Sequence, residues 1–184
     1  SLDSAAAQGR SWDLSSLRQV LSAGVSFSAP LKQRLLDHHR CTIVDTLGSS
    51  EGTGMGRQVT SRSRNDRGTA RFVLGGHTRV FTEIGQDVRP GSGERGRLAL
   101  GHPLPEGYFK DPAKTEATFP TIDGRRWSVP GDWATVEADG SIVLLGRGAE
   151  CINTGGEKVY PEEVEEALKV HPAVTDCNVV GVDD

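Results

Sequence analysis

From about Gly68 to Gly146 the sequence turns back on itself every few residues, and this rhythm restricts the fold more than any other feature. The runs ARFVLGG, TRVFTEIG and GRLALG carry strand-type residues, while RPGSGERG and IDGRR punctuate them. WATVEADGSIVLLG reads as a β-hairpin with Asp139-Gly140 at its turn. DPAKTEATF interrupts the series with a short capped helical turn. Glycine makes up 23 of the 184 residues, well above the usual ~7%. That density favours tight turns and close backbone approaches over a helical bundle. Short strands at regular spacing predict a small β-barrel or a twisted antiparallel sheet.

The flanks read differently. LRQVLSAG, ending at Gly24, is a short apolar run that suits a buried strand. Ser28 then offers an N-cap and Pro30 an early helical position, with Leu31, Leu35 and Leu36 on one face. CTIVDTL is β-branched and apolar, a second strand. Strand, helix and strand with short links predict a parallel crossover unit. Beyond Arg147, GAECINTGGEK reads as a loop or hairpin. YPEEVEEALKVHP reads as a helix begun by Pro161, with Val164, Ala167 and Leu168 facing inward. AVTDCNVVGV would begin a further strand. The fold class is therefore α/β plus β, divided as 1–66, 67–146 and 147–184.

Charge and cysteine content narrow the function classes. A net charge of −4 argues against a general nucleic-acid surface. Arg57, Arg62, Arg64, Arg67 and Arg71 form a local basic patch that reads first as a solvated loop. Cys41, Cys151 and Cys177 are odd in number and far apart, with no C-x-x-C pair. They fit a reducing cytosol better than a disulfide framework or a zinc site. No run of about 18 apolar residues occurs, so the sequence predicts a cytoplasmic protein without a transmembrane segment. Oligomeric state is silent.

The stretch VDTLGSSEGTGMG carries the sharpest chemical signal, and three readings compete for it. Its Gly48-Ser49-Ser50-Glu51-Gly52 core matches G-x-S-x-G, the nucleophile elbow of a serine hydrolase. An elbow needs a helix directly after the turn, and GTGMGRQVTSRS is a poor helix. His77, His102 and His171 offer no distinctive context for a triad. A phosphate-and-metal loop fits better. Small residues let backbone N–H groups approach an anion, the Ser50 hydroxyl can bond phosphate, and the Glu51 carboxylate can hold Mg²⁺. Taken alone, the pentapeptide is also compatible with a plain structural turn.

Later segments bear on that choice. VPGDWATVEADGSIVLLGRGAECINTGGEKVYPEEVEEAL presents a Gly-Asp, an Asp-Gly hairpin, a Gly-Arg and a Gly-Gly-Glu-Lys before a Pro-started helix. Together with SAGVSFS, GSSEG and GYFKDPAKTEATF, this order resembles the adenylate-forming superfamily of acyl-CoA synthetases, peptide-synthetase adenylation domains and luciferases. It is most similar to the actinobacterial fatty-acyl-CoA synthetases. The resemblance implies a multi-domain fold, of which this chain would hold the end of an α/β subdomain, a small β-barrel subdomain and the start of a mobile α+β C-terminal domain. It implies a reaction in which a carboxylic acid and ATP give acyl-adenylate and pyrophosphate, and coenzyme A then displaces AMP.

The resemblance also implies roles for particular residues. Glu51 would be the Mg²⁺ carboxylate and Ser50 the phosphate-contacting hydroxyl. Gly24 would end the strand that borders the adenine and acyl groups, and Asp45 would contact the adenine edge. Leu47, beside Gly48, stands where an aromatic residue usually stacks on adenine. Asp132 would take the ribose hydroxyls, since one carboxylate can accept from two donors, and Arg147 would reach ribose or phosphate. Glu150 falls at the hinge position, Gly155 and Gly156 in the loop of the thioester-forming step, and Lys158 is a candidate for a catalytic contact in either the adenylating or the thioester-forming state. The family's Gly-rich phosphate loop and its adenylation lysine have no counterpart in the sequence, which reads as an internal piece of a longer enzyme, inactive by itself. A serine hydrolase built on Ser50, and a non-catalytic domain derived from an adenylating enzyme, are the rival expectations.

Overall fold

The computed structural model describes residues 2–24, 27–63, 70–147, 152–153, 158–159, 161–169, 171 and 173–182. After a short helix α1 (Leu2–Ala7), β1 (Gln19–Ala23), α2 (Ala29–His38) and β2 (Thr42–Ser49) form the expected crossover, with β1 and β2 parallel. The signals for α2 act as anticipated: Ser28 Oγ accepts from the backbone of Leu31, and Pro30 sits in the first turn. Its buried face differs from the expectation. Leu36 is buried, but Leu31 is 48% exposed and Lys32, at 2%, takes the inward place four residues before Leu36.

The chain then doubles back. β3 (Gly52–Thr60) pairs antiparallel with β2, covering the glycine-rich stretch that carried no strand signal. β4 (Arg71–Leu74), β5 (Thr78–Phe81) and β6 (Arg95–Leu100) follow, then the capped helix α3 (Pro112–Thr118). A two-residue-strand hairpin, β7 (Thr121–Ile122) with β8 (Arg125–Arg126), precedes β9 (Asp132–Val136) and β10 (Ser141–Arg147). Strands β1 to β6, β9 and β10 make one eight-stranded sheet in the order β1-β2-β3-β4-β10-β9-β6-β5. Of the small barrel or twisted antiparallel sheet expected for this region, the described residues form an open sheet, continuous with the crossover unit through the β3–β4 pair. It curls enough for Gly52 on β3 to lie against Leu100 on β6, where a Cβ would stand 2.6 Å from the leucine side chain.

That curl encloses the main core of Met55, Phe72, Val80, Leu98, Leu100, Ala134 and Ile142. A second cluster holds Phe81, Ala99, Trp127 and Val129, with Phe81 and Trp127 edge to face at 5.0 Å. A third joins Leu36 to Cys41 and Ile43 beneath α2. Beyond the sheet, β11 (Ile152–Asn153) and β12 (Lys158–Val159) pair antiparallel, where the sequence admits either a loop or a hairpin. They lead to α4 (Pro161–Lys169). Two expectations fail here. Val164 is half-buried, but Ala167 and Leu168 are exposed, because α4 packs instead on β10 and on the following segment. There Val179 N donates to Glu165 Oε1 at 2.9 Å. AVTDCNVVGV adopts no strand, since no described strand pairs with it.

Candidate functional site

The β2–β3 hairpin turns at Ser50-Glu51, with Ser49 opposite Gly52. Close packing inside the hairpin explains its small residues: a Cβ on Gly48 would lie 3.2 Å from the Gly52 carbonyl oxygen. Ser50 is exposed at the tip and Glu51 is half-buried. The segment after the turn is strand β3, where a nucleophile elbow demands a helix.

Glu51 does not stand alone. The hydroxyl of Tyr108 donates to its Oε1 at 2.5 Å. That bond is the first cause holding the Glu51 carboxyl below the usual carboxylate range, and the charge of Arg147 adds to it. Burial, and then the same bond, push the Tyr108 phenol up. Glu51 is therefore anionic at neutral pH and Tyr108 is a neutral donor.

Arg147 arrives from the far end of β10, directly across from Asp132 at the start of β9. A β-bulge makes this alignment, since the register shifts between Leu144 and Gly146. Gly146 has φ of 101°, a conformation glycine alone adopts at little cost. Arg147 Nε donates to Asp132 Oδ1 at 3.3 Å, and the Asp132 side chain is 11% exposed while that of Arg147 is 51% exposed. Three stretches distant in sequence thus converge: a carboxylate at a hairpin tip, a phenol from the loop before α3, and a guanidinium–carboxylate pair at the ends of β9 and β10. The group offers one anion for a cation, and one cation with donors for an anion.

Other expected residues lie elsewhere. Asp45 is 3% exposed and faces α2, where Lys32 Nζ donates to its Oδ2 at 2.9 Å. Lys32 also donates to Gln58 Oε1, and Gln58 Nε2 donates to the Arg71 carbonyl at 2.9 Å. Gly24 ends β1 with φ of 82° and open space around it, so backbone conformation rather than crowding accounts for the glycine. Leu47 packs against the main core. Lys158 pairs with Asn153 in the β11–β12 hairpin. Glu150, Gly155 and Gly156 lie outside the described residues. Two arginines of the basic patch have structural duties: Arg62 donates to the carbonyls of Leu36 and Asp37 at the end of α2, and Arg71 pairs with Asp139 at 2.8 Å, while Arg64 and Arg67 lie outside the described residues.

Sequence reasoning missed Tyr108 and Lys32. Nothing in the segment GYFKDPAKTEATF singles out its tyrosine. No cluster of three or more His, Cys, Asp or Glu that could hold a metal occurs among the described residues. A Mg²⁺ ion at Glu51 would need oxygen ligands from phosphate and water, which is how Mg²⁺ is commonly held. An ionised, half-buried carboxylate at a loop tip fits that demand. No described helix is long and apolar enough to cross a membrane.

No protein-family profile matches the chain. Its homologues include fatty-acid–CoA ligases of actinobacteria. It is 47% identical over 177 residues to the medium/long-chain-fatty-acid–CoA/3-oxocholest-4-en-26-oate–CoA ligase of Mycolicibacterium smegmatis, covering 96% of this chain and 32% of the relative. It is 46% identical to the 3-oxocholest-4-en-26-oate–CoA ligase of Rhodococcus rhodochrous, covering 96% of this chain and 32% of that protein. Its structural neighbours are adenylate-forming enzymes. An anthranilate CoA ligase bound to anthranoyl-AMP superposes with a TM-score of 0.77 at 28% identity, over 94% of this chain and 32% of its own. An O-succinylbenzoate CoA synthetase from Bacillus subtilis, in complex with ATP and magnesium, gives 0.72 at 26% identity, over 92% and 34%. The chain spans about a third of the length of the relatives it matches.

Proposed function

We propose that the chain supplies the phosphate- and metal-facing part of the active site of an ATP-dependent acyl-CoA ligase, which activates a carboxylic acid as its acyl-adenylate and passes the acyl group to coenzyme A. The observation that carries this reading is the Tyr108–Glu51 hydrogen bond with the charge of Arg147, itself paired with Asp132, acting on Glu51. The homology to CoA ligases, and the superposition on enzymes captured with acyl-AMP or with ATP and magnesium, support it.

A carboxylate is a poor electrophile, and adenylation gives it a leaving group. Attack on the α-phosphorus builds negative charge on phosphate oxygens, and preorganised charges and donors at those oxygens lower the barrier. Bound Mg²⁺ would neutralise part of that charge. Glu51 would hold the ion, in a carboxylate kept charged by Tyr108. Ser50, exposed beside it, would bond a phosphate oxygen. Arg147 would meet phosphate or ribose, and Asp132 would accept from the ribose hydroxyls while keeping Arg147 in place. Gly24, Leu47 and Gly48 would flank the adenine, with Leu47 offering apolar contact where no ring can stack. Glu150, Gly155, Gly156 and Lys158 would act in the exchange between the adenylating and thioester-forming arrangements.

The substrate class we propose is a medium or long fatty acid or a steroid side-chain acid, on the named activities of the relatives. ATP–pyrophosphate exchange by the full-length protein, run over a panel of fatty acids, a steroid side-chain acid and amino acids, tests the reading. Exchange stimulated by fatty or steroid acids is expected; exchange driven only by amino acids would reassign the substrate class. Absence of exchange with every acid would refute the function.

A further inference from the structure

We propose that Tyr108 is a positioning residue for the Glu51 carboxylate, and that the segment from Gly107 to Phe119 is built to deliver its phenol there. This rests on the reading of Glu51 as the metal-holding carboxylate. The delivery is over-determined. Tyr108 N donates to Thr115 Oγ1 at 2.9 Å, and the same hydroxyl donates to the Asp111 carbonyl at 2.7 Å. Asp111 in turn caps α3, its Oδ1 accepting from Lys114 N at 3.0 Å. The residue before the tyrosine must be small: a Cβ on Gly107 would lie 2.5 Å from Thr115 Cγ2, against the side chain that anchors Tyr108. The ring is held between Lys114, whose Nζ lies 4.2 Å from its centroid, and Phe119, 6.0 Å away. A helix cap, a side-chain anchor and a ring clamp thus converge on one phenol whose oxygen points at one carboxylate oxygen.

The consequence is geometric. A carboxylate at a two-residue turn between strands has free torsions, and a ligand oxygen must be aimed before a cation is bound. With Oε1 engaged by Tyr108, the carboxylate loses rotational freedom, and Oε2 would remain available to a cation. Partners that orient metal ligands in this way change metal affinity by about 10- to 100-fold when removed.

The test is Mn²⁺ binding to the full-length protein in the presence of ATP, followed by electron paramagnetic resonance, alongside the Mg²⁺ dependence of pyrophosphate exchange. Tyr108→Phe keeps the ring packing and removes only the donor. It is expected to weaken Mn²⁺ binding by about tenfold or more and to raise the Mg²⁺ KM in proportion. 3-Fluorotyrosine at position 108, which keeps the donor, is expected to restore both. If Tyr108→Phe does not fold, Thr115→Val carries the test, with several-fold weaker Mn²⁺ binding expected from the loosened phenol. Wild-type Mn²⁺ affinity in the folded variant, with Glu51→Gln impaired, would overturn the role of Tyr108 and leave the reading of Glu51 standing. Wild-type affinity in Glu51→Gln would instead overturn that reading.

Discussion

At the scale of single residues, the least legible feature is the Lys32–Asp45–Gln58 cluster. A lysine on an amphipathic helix reads as solvated, because lysine is almost never fully buried unless paired. Its partners sit 13 and 26 residues further along the chain, and only the crossover brings them beneath α2. The family resemblance implies an adenine contact for Asp45, and no local pattern in the sequence shows that its carboxylate is engaged by Lys32. Lys32→Met, which strands a buried carboxylate, is expected to cost about 3–5 kcal/mol in urea unfolding. Adding Asp45→Leu should recover most of that loss, because two apolar groups leave no charge unpaired. Cys41 makes a second prediction. It is buried beneath α2, and burial pushes its thiol up. A thiol raised in the folded state favours folding below its unfolded value and loses that contribution as pH rises through the folded one. Mass-spectrometric mapping of iodoacetamide labelling near pH 8 should therefore find Cys177 modified well before Cys41, because the thiolate is the reactive form.

At the scale of elements, what depends on local pattern was readable. The Ser28 cap, the β-branched run of β2, the Asp139-Gly140 turn and the Pro161 start are each written within a few residues, and each appears where expected. Elements defined by a partner were not. β3 contains three glycines and no strand periodicity; it is a strand because β2 and β4 bond to it on both sides. AVTDCNVVGV has strand composition and no described neighbour to pair with. The bulge in β10 belongs to the same class, since a single glycine inside an apolar run does not reveal which side chain it re-aims. Gly146→Ala forces a side chain into a left-handed conformation, at a cost of roughly 1–2 kcal/mol. Thermal or urea unfolding measures that cost. Loss of the Arg147–Asp132 alignment should also raise the KM for ATP in the full-length protein more than it changes Tm-corrected expression.

At the scale of the whole molecule, one curled sheet gathers groups from positions 51, 108, 132 and 147. Homology accounts for the recognisable order of motifs, and the sheet accounts for their proximity. The resemblance named Glu51, Asp132 and Arg147 as candidates. It did not supply the phenol that bonds Glu51, because the contact between Tyr108 and Glu51 spans 57 residues and exists only in three dimensions. The proposed function is chemical: this site would serve cleavage of ATP between its α- and β-phosphates. The most direct measurement is mass spectrometry of the products formed by the full-length protein from dodecanoate, ATP and Mg²⁺ with coenzyme A withheld. The account requires dodecanoyl-AMP and pyrophosphate, with both lost in Glu51→Gln. Formation of ADP and an acyl phosphate, or of dodecanoyl-AMP at an undiminished rate in Glu51→Gln, would contradict it.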